Sequence, residues 1–88
     1  MKVKKNYYKL SNRTLSINSS GEDIIYLKEA LNKVSFFTNN ENDIYDMDMM
    51  NTVIRFQLYY GLQPDGIFGK KSREKLEKLI NKWKKKYD

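Results

Sequence analysis

Cysteine and histidine are both absent from this 88-residue chain, and proline occurs once. Without cysteine there is no disulfide, no thiolate nucleophile and no sulfur ligand for a metal. Without histidine there is no imidazole base, and the usual zinc and thiol-protease constellations cannot be assembled. Long apolar runs are missing too. No stretch approaches the roughly 20 residues of a membrane span, and Met1–Arg13 lacks the apolar stretch of a signal peptide.

Carboxylates are the catalytic groups left to consider. Asp43, Asp46 and Asp48 lie close together, but in a polar loop where turn formation and helix capping explain them. A calcium loop of the EF-hand type needs a central glycine and a glutamate at position twelve. Counted from Asn40 these positions hold Tyr45 and Asn51, and counted from Asn42 they hold Met47 and Val53. The chain is therefore expected to have no catalytic residues, no metal site and no cofactor.

What is present is a core and an excess of positive charge. Apolar residues make up 40% and aromatics 14%, enough for one compact domain and too much for disorder. The net charge is +6, unevenly spread. Residues 70–86 are rich in Lys and Arg, whereas Glu41, Asp43, Asp46 and Asp48 crowd one loop. The basic run is either a solvated helix face or an attractor of polyanions.

Three helices follow from apolar spacing. Ile24, Leu27, Leu31 and Val34 form one stripe over about residues 21–34, with Ser20 and Asp23 as a variant capping box at the start. Ser35 stands where a helix would favour a left-handed glycine, and pays about 1 kcal/mol or more there. Phe36 and Phe37 divide a core role and a rim role. Met49, Val53, Phe56 and Tyr60 mark a second helix over about 47–60, capped by Asp46 or Asp48. A second stripe on it, Met47, Ile54 and Leu58, is expected in the core, or as a docking patch if exposed. Asn51, Thr52, Arg55 and Tyr59 form its polar arc. Gly61 and Leu62 close it. Leu76, Leu79, Ile80, Trp83 and Tyr87 mark a third helix over about 70–86. The N-terminal segment, residues 1–14, reads as a linker end or a packed arm, 15–80 as the domain, and 81–88 as a basic helical extension.

The two turns that launch the second and third helices are versions of one unit. Asn42-Asp43-Ile44-Tyr45-Asp46 and Asp65-Gly66-Ile67-Phe68-Gly69 align, and Val53, Phe56 and Tyr60 match Leu76, Leu79 and Trp83. Asp43 and Asp46 replace the glycines of the second copy, and Asp tolerates left-handed backbone better than most residues. The joined run Val53-x-x-Phe56-Gln57-x-x-x-Gly61-Leu62-x-x-Asp65-Gly66-Ile67-Phe68-Gly69-x-x-Ser72 resembles the peptidoglycan-binding-like domain family. Upstream, Gly21-x-Asp23-Ile24-x-x-Leu27-x-x-x-Leu31 is similar to that family's opening. The resemblance covers about residues 15–80.

It implies an all-α, compact three-helix domain built from two related turn-helix units. It also implies a non-catalytic module that tethers a lytic or wall-modifying activity to peptidoglycan, as in cell-wall hydrolases, spore proteins and phage endolysins. The implied partners are peptidoglycan or another wall polymer and a fused or associated hydrolase domain. Action would be outside the cytoplasm, for a phage protein or an excised domain. Gly21, Phe56, Gln57, Gly61, Asp65, Gly66, Phe68, Gly69 and Ser72 are expected to be scaffold, holding turns rather than ligand. Ligand contacts should come from exposed aromatics beside polar groups: Tyr26, Phe37, Tyr45, Arg55 and Tyr59, with Tyr45 also open to a core role. The alternatives are a docking module on the same fold, and a basic three-helix nucleic-acid binder. Glu74 and Glu77 interrupt the basic helix and weigh against the latter.

Overall fold

The computed structural model describes residues 10–38 and 42–87, with side chains through Lys82. It contains α1 (Glu22–Lys33), α2 (Met47–Tyr59) and α3 (Lys70–Tyr87). The described residues form no strand beyond two isolated bridges, Leu15 with Phe68 and Ser20 with Ile44. Trp83 and Tyr87, expected on the apolar stripe of α3, lie beyond the described side chains, as residues 1–9 lie beyond the described backbone.

The apolar stripes meet as their spacing requires. Ile24, Leu27, Ala30 and Leu31 of α1, Met49, Val53 and Phe56 of α2, and Leu76 and Ile80 of α3 are buried together with Leu15, Tyr45 and Phe68. Leu10, Val34, Met50, Tyr60 and Leu79 pack against this centre. Burying a large apolar side chain contributes about 1.5–3 kcal/mol, so this cluster dominates the stability of a small domain.

The helix ends depart from expectation in instructive ways. No side chain caps α1; its N-cap is Gly21, at φ 135°. The Ser20–Asp23 box does not form: the helix starts one residue later, and Arg13 takes the Asp23 carboxylate, with Nε 2.7 Å from Oδ2 and Nη2 2.9 Å from Oδ1. Arg13 also donates to the Ser20 carbonyl. The guanidinium holds Asp23 well below the usual carboxylate range, at about 2. At the other end Ser35 takes the left-handed conformation itself, φ 75°. Phe36 N–H then returns to the Leu31 carbonyl at 2.9 Å, which satisfies a terminal acceptor. Of the two acids proposed to cap α2, Asp46 does so, accepting from Met49 N–H at 3.0 Å. Gly61, at φ 72°, closes α2 while Leu62 N–H reaches the Gln57 carbonyl at 2.8 Å.

Residues 15–20 tie the two turns together. Leu15 and Phe68 exchange both backbone hydrogen bonds, at 3.0 and 2.7 Å, and Tyr45 N–H donates to Ser19 at 2.9 Å. Asn18, itself left-handed at φ 74°, donates to the Tyr45 carbonyl at 2.8 Å. Each turn is an Asx turn. Asn42 Oδ1 accepts from Ile44 N–H, and Asp65 Oδ1 from Ile67 N–H, both at 3.0 Å. Asp43 is not left-handed. Its side chain therefore does not act as a glycine substitute, and the first turn closes through Asn42 instead.

Candidate functional site

The residues of the second turn are held from beneath by one amide. Gln57, buried on α2, donates from Nε2 to Asp65 Oδ1 at 3.3 Å, to the Ile67 carbonyl at 3.0 Å and to Ser72 Oγ at 3.0 Å. Its Oε1 accepts from Gly66 N–H at 2.9 Å. Gly66 has φ 75°, and a β-carbon there would stand 2.9 Å from Met50 Cγ. A side chain is therefore excluded by backbone and by neighbour alike. Above this network lies a groove of about 200 Å³ lined by Gln57, Leu62, Gln63, Asp65, Ile67, Gly69, Lys71 and Ser72.

Tyr45 completes the scaffold and leaves the list of ligand candidates. Its ring is 0% exposed and its hydroxyl donates to the Gly66 carbonyl at 2.7 Å. Burial pushes the phenol pKa upward, with the Asp65 charge adding to it. The aromatic of the first turn thus locks the backbone of the second. A ligand cannot reach it.

The outer side of α2 presents a different surface. Tyr59 is 74% exposed and Phe37 65%. Arg55, exposed between the ends of that surface, donates from Nη2 to Thr52 Oγ1 at 3.1 Å and to the Phe37 carbonyl at 3.5 Å. Thr52, placed on the polar arc by spacing, is buried and donates to the same carbonyl at 2.9 Å. It ties the segment after α1 to α2 and positions Arg55. Behind the exposed rings runs a chain of aromatic contacts. Phe36 lies 5.8 Å from Tyr59 and 5.4 Å from Phe56, and Tyr59 meets Tyr60 edge-on at 4.9 Å. Lys75 of α3 rests 4.9 Å over the Tyr60 ring. Burial, then the neighbouring Tyr59, raises the Tyr60 pKa.

The structure therefore gathers three of the five ligand candidates, Phe37, Arg55 and Tyr59, on one face. Tyr26 is not among them. It is half-buried on α1, and its hydroxyl meets Glu22 at 3.2 Å, whose charge raises the phenol pKa. The apolar stripe expected in the core is also corrected. Met47 and Leu58 are each 62% exposed, while Ile54 is half-buried beside Gly66. Leu58 lies beside Tyr59 on α2 and adds exposed apolar surface there.

Besides Thr52, one buried polar residue was not foreseen, and the scaffold role expected of Ser72 is accounted for by its burial. Lys28 is buried on α1 and donates to the Asn42 carbonyl at 3.1 Å and to Asn42 Oδ1 at 3.0 Å. Its spacing from Ile24 and Leu31, four and three residues, places it at the margin of the buried stripe. That spacing is the signal by which it could have been found. Ser72 is buried beneath the groove, as its hydrogen bond to Gln57 requires. No group of three or more acidic residues able to hold a metal occurs among the described residues.

The profile of the peptidoglycan binding domain family matches residues 20–76. The chain belongs to this family. Among curated proteins, the spore cortex-lytic enzyme of Bacillus cereus is 31% identical over 74 residues, which is 84% of this chain. This chain spans about 29% of that enzyme's length. The N-terminal domain of SleB superposes with a TM-score of 0.76 at 30% identity, covering 81% of this chain and 97% of that one. An endolysin of Burkholderia phage AP3 superposes at 0.70 with 31% identity, over 74% of this chain and 25% of its own. The three-helix architecture of this peptidoglycan-binding domain is that of the SleB N-terminal domain. No helix among its described residues is long and apolar enough to cross a membrane.

Proposed function

We propose that this chain is a non-catalytic module that holds a lytic or wall-modifying activity on peptidoglycan, outside the cytoplasm. The relatives in which the domain recurs, a cortex-lytic enzyme and an endolysin, support a fused or associated hydrolase as its partner. Attachment of this kind acts through effective concentration, since a tethered enzyme meets its substrate again after each release.

One observation carries the choice of surface: Arg55 donates to Thr52 and to the Phe37 carbonyl, beside the residue of one exposed ring and one helical turn from another, Tyr59. Sugar rings present flat apolar faces that stack on aromatic side chains, and stem peptides carry carboxylates suited to a guanidinium. Phe37, Arg55 and Tyr59 offer both, and the Arg55 hydrogen bonds and the Tyr59 ring contacts limit what must be ordered on binding.

Co-sedimentation with purified sacculi tests the reading. The chain should pellet with walls, and Tyr59→Ala and Arg55→Gln should each weaken binding about tenfold while leaving the fold intact. Titration with soluble muropeptides, followed by NMR, should shift the amides of residues 36–38 and 52–60. Failure of the unaltered chain to sediment, with stripped or unstripped walls, overturns the proposal.

A further inference from the structure

The third helix carries a pattern that the attachment face does not use. At about 100° per residue, Lys71, Lys75, Lys78 and Lys82 fall within an arc of about 60°. Ser72, Leu76 and Ile80 occupy the buried side. Glu74 and Glu77 fall with Lys70 and Asn81 in the neighbouring sector and flank the lysine row on that side. Among the described residues, Lys71, Lys78 and Lys82 are exposed and no carboxylate lies within ion-pair distance of them.

Two contacts fix where this row points. Lys71 borders the groove beside Leu62, Gln63 and Asp65, and Lys75 lies on the Tyr60 ring. Tyr60 in turn meets Tyr59. The lysines therefore run along α3 next to the C-terminal end of α2, continuous with the aromatic face.

We propose that this row is a second contact, for a flexible phosphodiester polymer attached to the wall, of the teichoic-acid type. The inference rests on the wall-binding reading and extends it from the glycan to the anionic polymer carried on it. Successive lysines at i+3 and i+4 stand about 5–6 Å apart, in single file. That spacing suits a single polyol-phosphate chain, with one charge per repeat. Duplex DNA presents a phosphate about every 1.7 Å of axis on two strands. It calls for a broader basic surface than one row flanked by Glu74 and Glu77.

The test compares walls that retain their phosphate polymer with walls chemically stripped of it, alongside soluble poly(glycerol phosphate) and duplex DNA. The unaltered chain should bind unstripped walls more tightly, and lose that advantage as salt rises. With four lysines engaged, affinity for the soluble polymer should fall about 50-fold between 50 and 200 mM salt. The triple variant Lys71→Gln, Lys78→Gln, Lys82→Gln should bind both wall preparations alike, with its salt slope reduced by about 2. Lys70→Gln, in the neighbouring sector, should behave as the unaltered chain. All four substituted lysines are exposed, so thermal melts should be unchanged. Equal binding of the unaltered chain to both walls overturns the proposal, as does tighter binding to DNA than to poly(glycerol phosphate). Loss of binding to stripped walls alone counts against the glycan face, and leaves the lysine row supported by the soluble polymer.

Discussion

The two turn-helix units launch their helices by different backbone paths and different chemistry. Both close through an Asx turn, at Asn42 and at Asp65, and both send an aromatic, Tyr45 or Phe68, into the centre. The second turn needs glycine at 66 because its backbone is left-handed and pressed against Met50 and Ile54. At the equivalent position the first carries Asp43, exposed and without positive φ. A buried side chain of the preceding helix secures each: Gln57 by donors and an acceptor together, Lys28 by donors to Asn42. The last difference lies at the helix start, where Asp46 caps α2 and Gly69 leaves α3 without a side-chain cap. Both turns share the Asx turn, the buried support and the aromatic; glycine at 66 follows from a left-handed backbone and local crowding.

Substitutions at equivalent places separate these roles. Gln57→Leu should cost about 3 kcal/mol in urea unfolding, because Gly66 N–H and Ser72 lose a buried partner. Lys28→Met keeps the apolar stem and should cost about 1 kcal/mol. Equal losses would show that the two supports do the same work. Gly66→Ala should cost about 2 kcal/mol from strain and contact with Met50, whereas Asp43→Ala should stay within about 0.5 kcal/mol. A large effect at Asp43 would break the distinction.

Gly69→Asp sharpens the comparison from the other side. A β-carbon there meets nothing closer than Thr14, at 3.9 Å, and the backbone is not left-handed. Supplying the missing cap should stabilise the domain by about 0.5–1 kcal/mol, while Asp46→Ala should cost about 1 kcal/mol. The smallest effect concerns pH. Arg13 lowers the Asp23 pKa from 3.8 to about 2 in the folded chain. A depressed carboxylate adds stability above its unfolded pKa, and loses it as pH falls through the folded value. Melting temperatures followed from pH 5 to pH 2 should therefore fall more steeply for the unaltered chain than for Asp23→Asn.

Helical spacing was enough to place the apolar stripes, since Val53, Phe56, Leu76 and Leu79 converge as their periods require. Turn chemistry was legible where it is local, as at Gly61 and Gly66. It failed at Ser20 and Asp23, where the helix starts one residue later and a distant Arg13 takes the carboxylate. Thr52 looked solvent-facing because its partner, the Phe37 carbonyl, arrives from another segment. Met47 and Leu58 show the converse. An apolar side chain on a helix is buried only where a neighbouring element covers it, and spacing within one helix does not say where neighbours stop. The proposed attachment face was half legible for this reason: Arg55 and Tyr59 share a helical row, whereas the closeness of Phe37 to them depends on a loop.

The bridge between Leu15 and Phe68 has a bearing on how the chain matures. Its two partners are separated by about fifty residues of sequence. During synthesis the first turn can gather against residues 18–20 early, yet the opening segment stays half-anchored until Phe68 has emerged. The domain should consequently acquire its final form in one late step. A ribosome-bound chain halted before Phe68 should remain open to proteases.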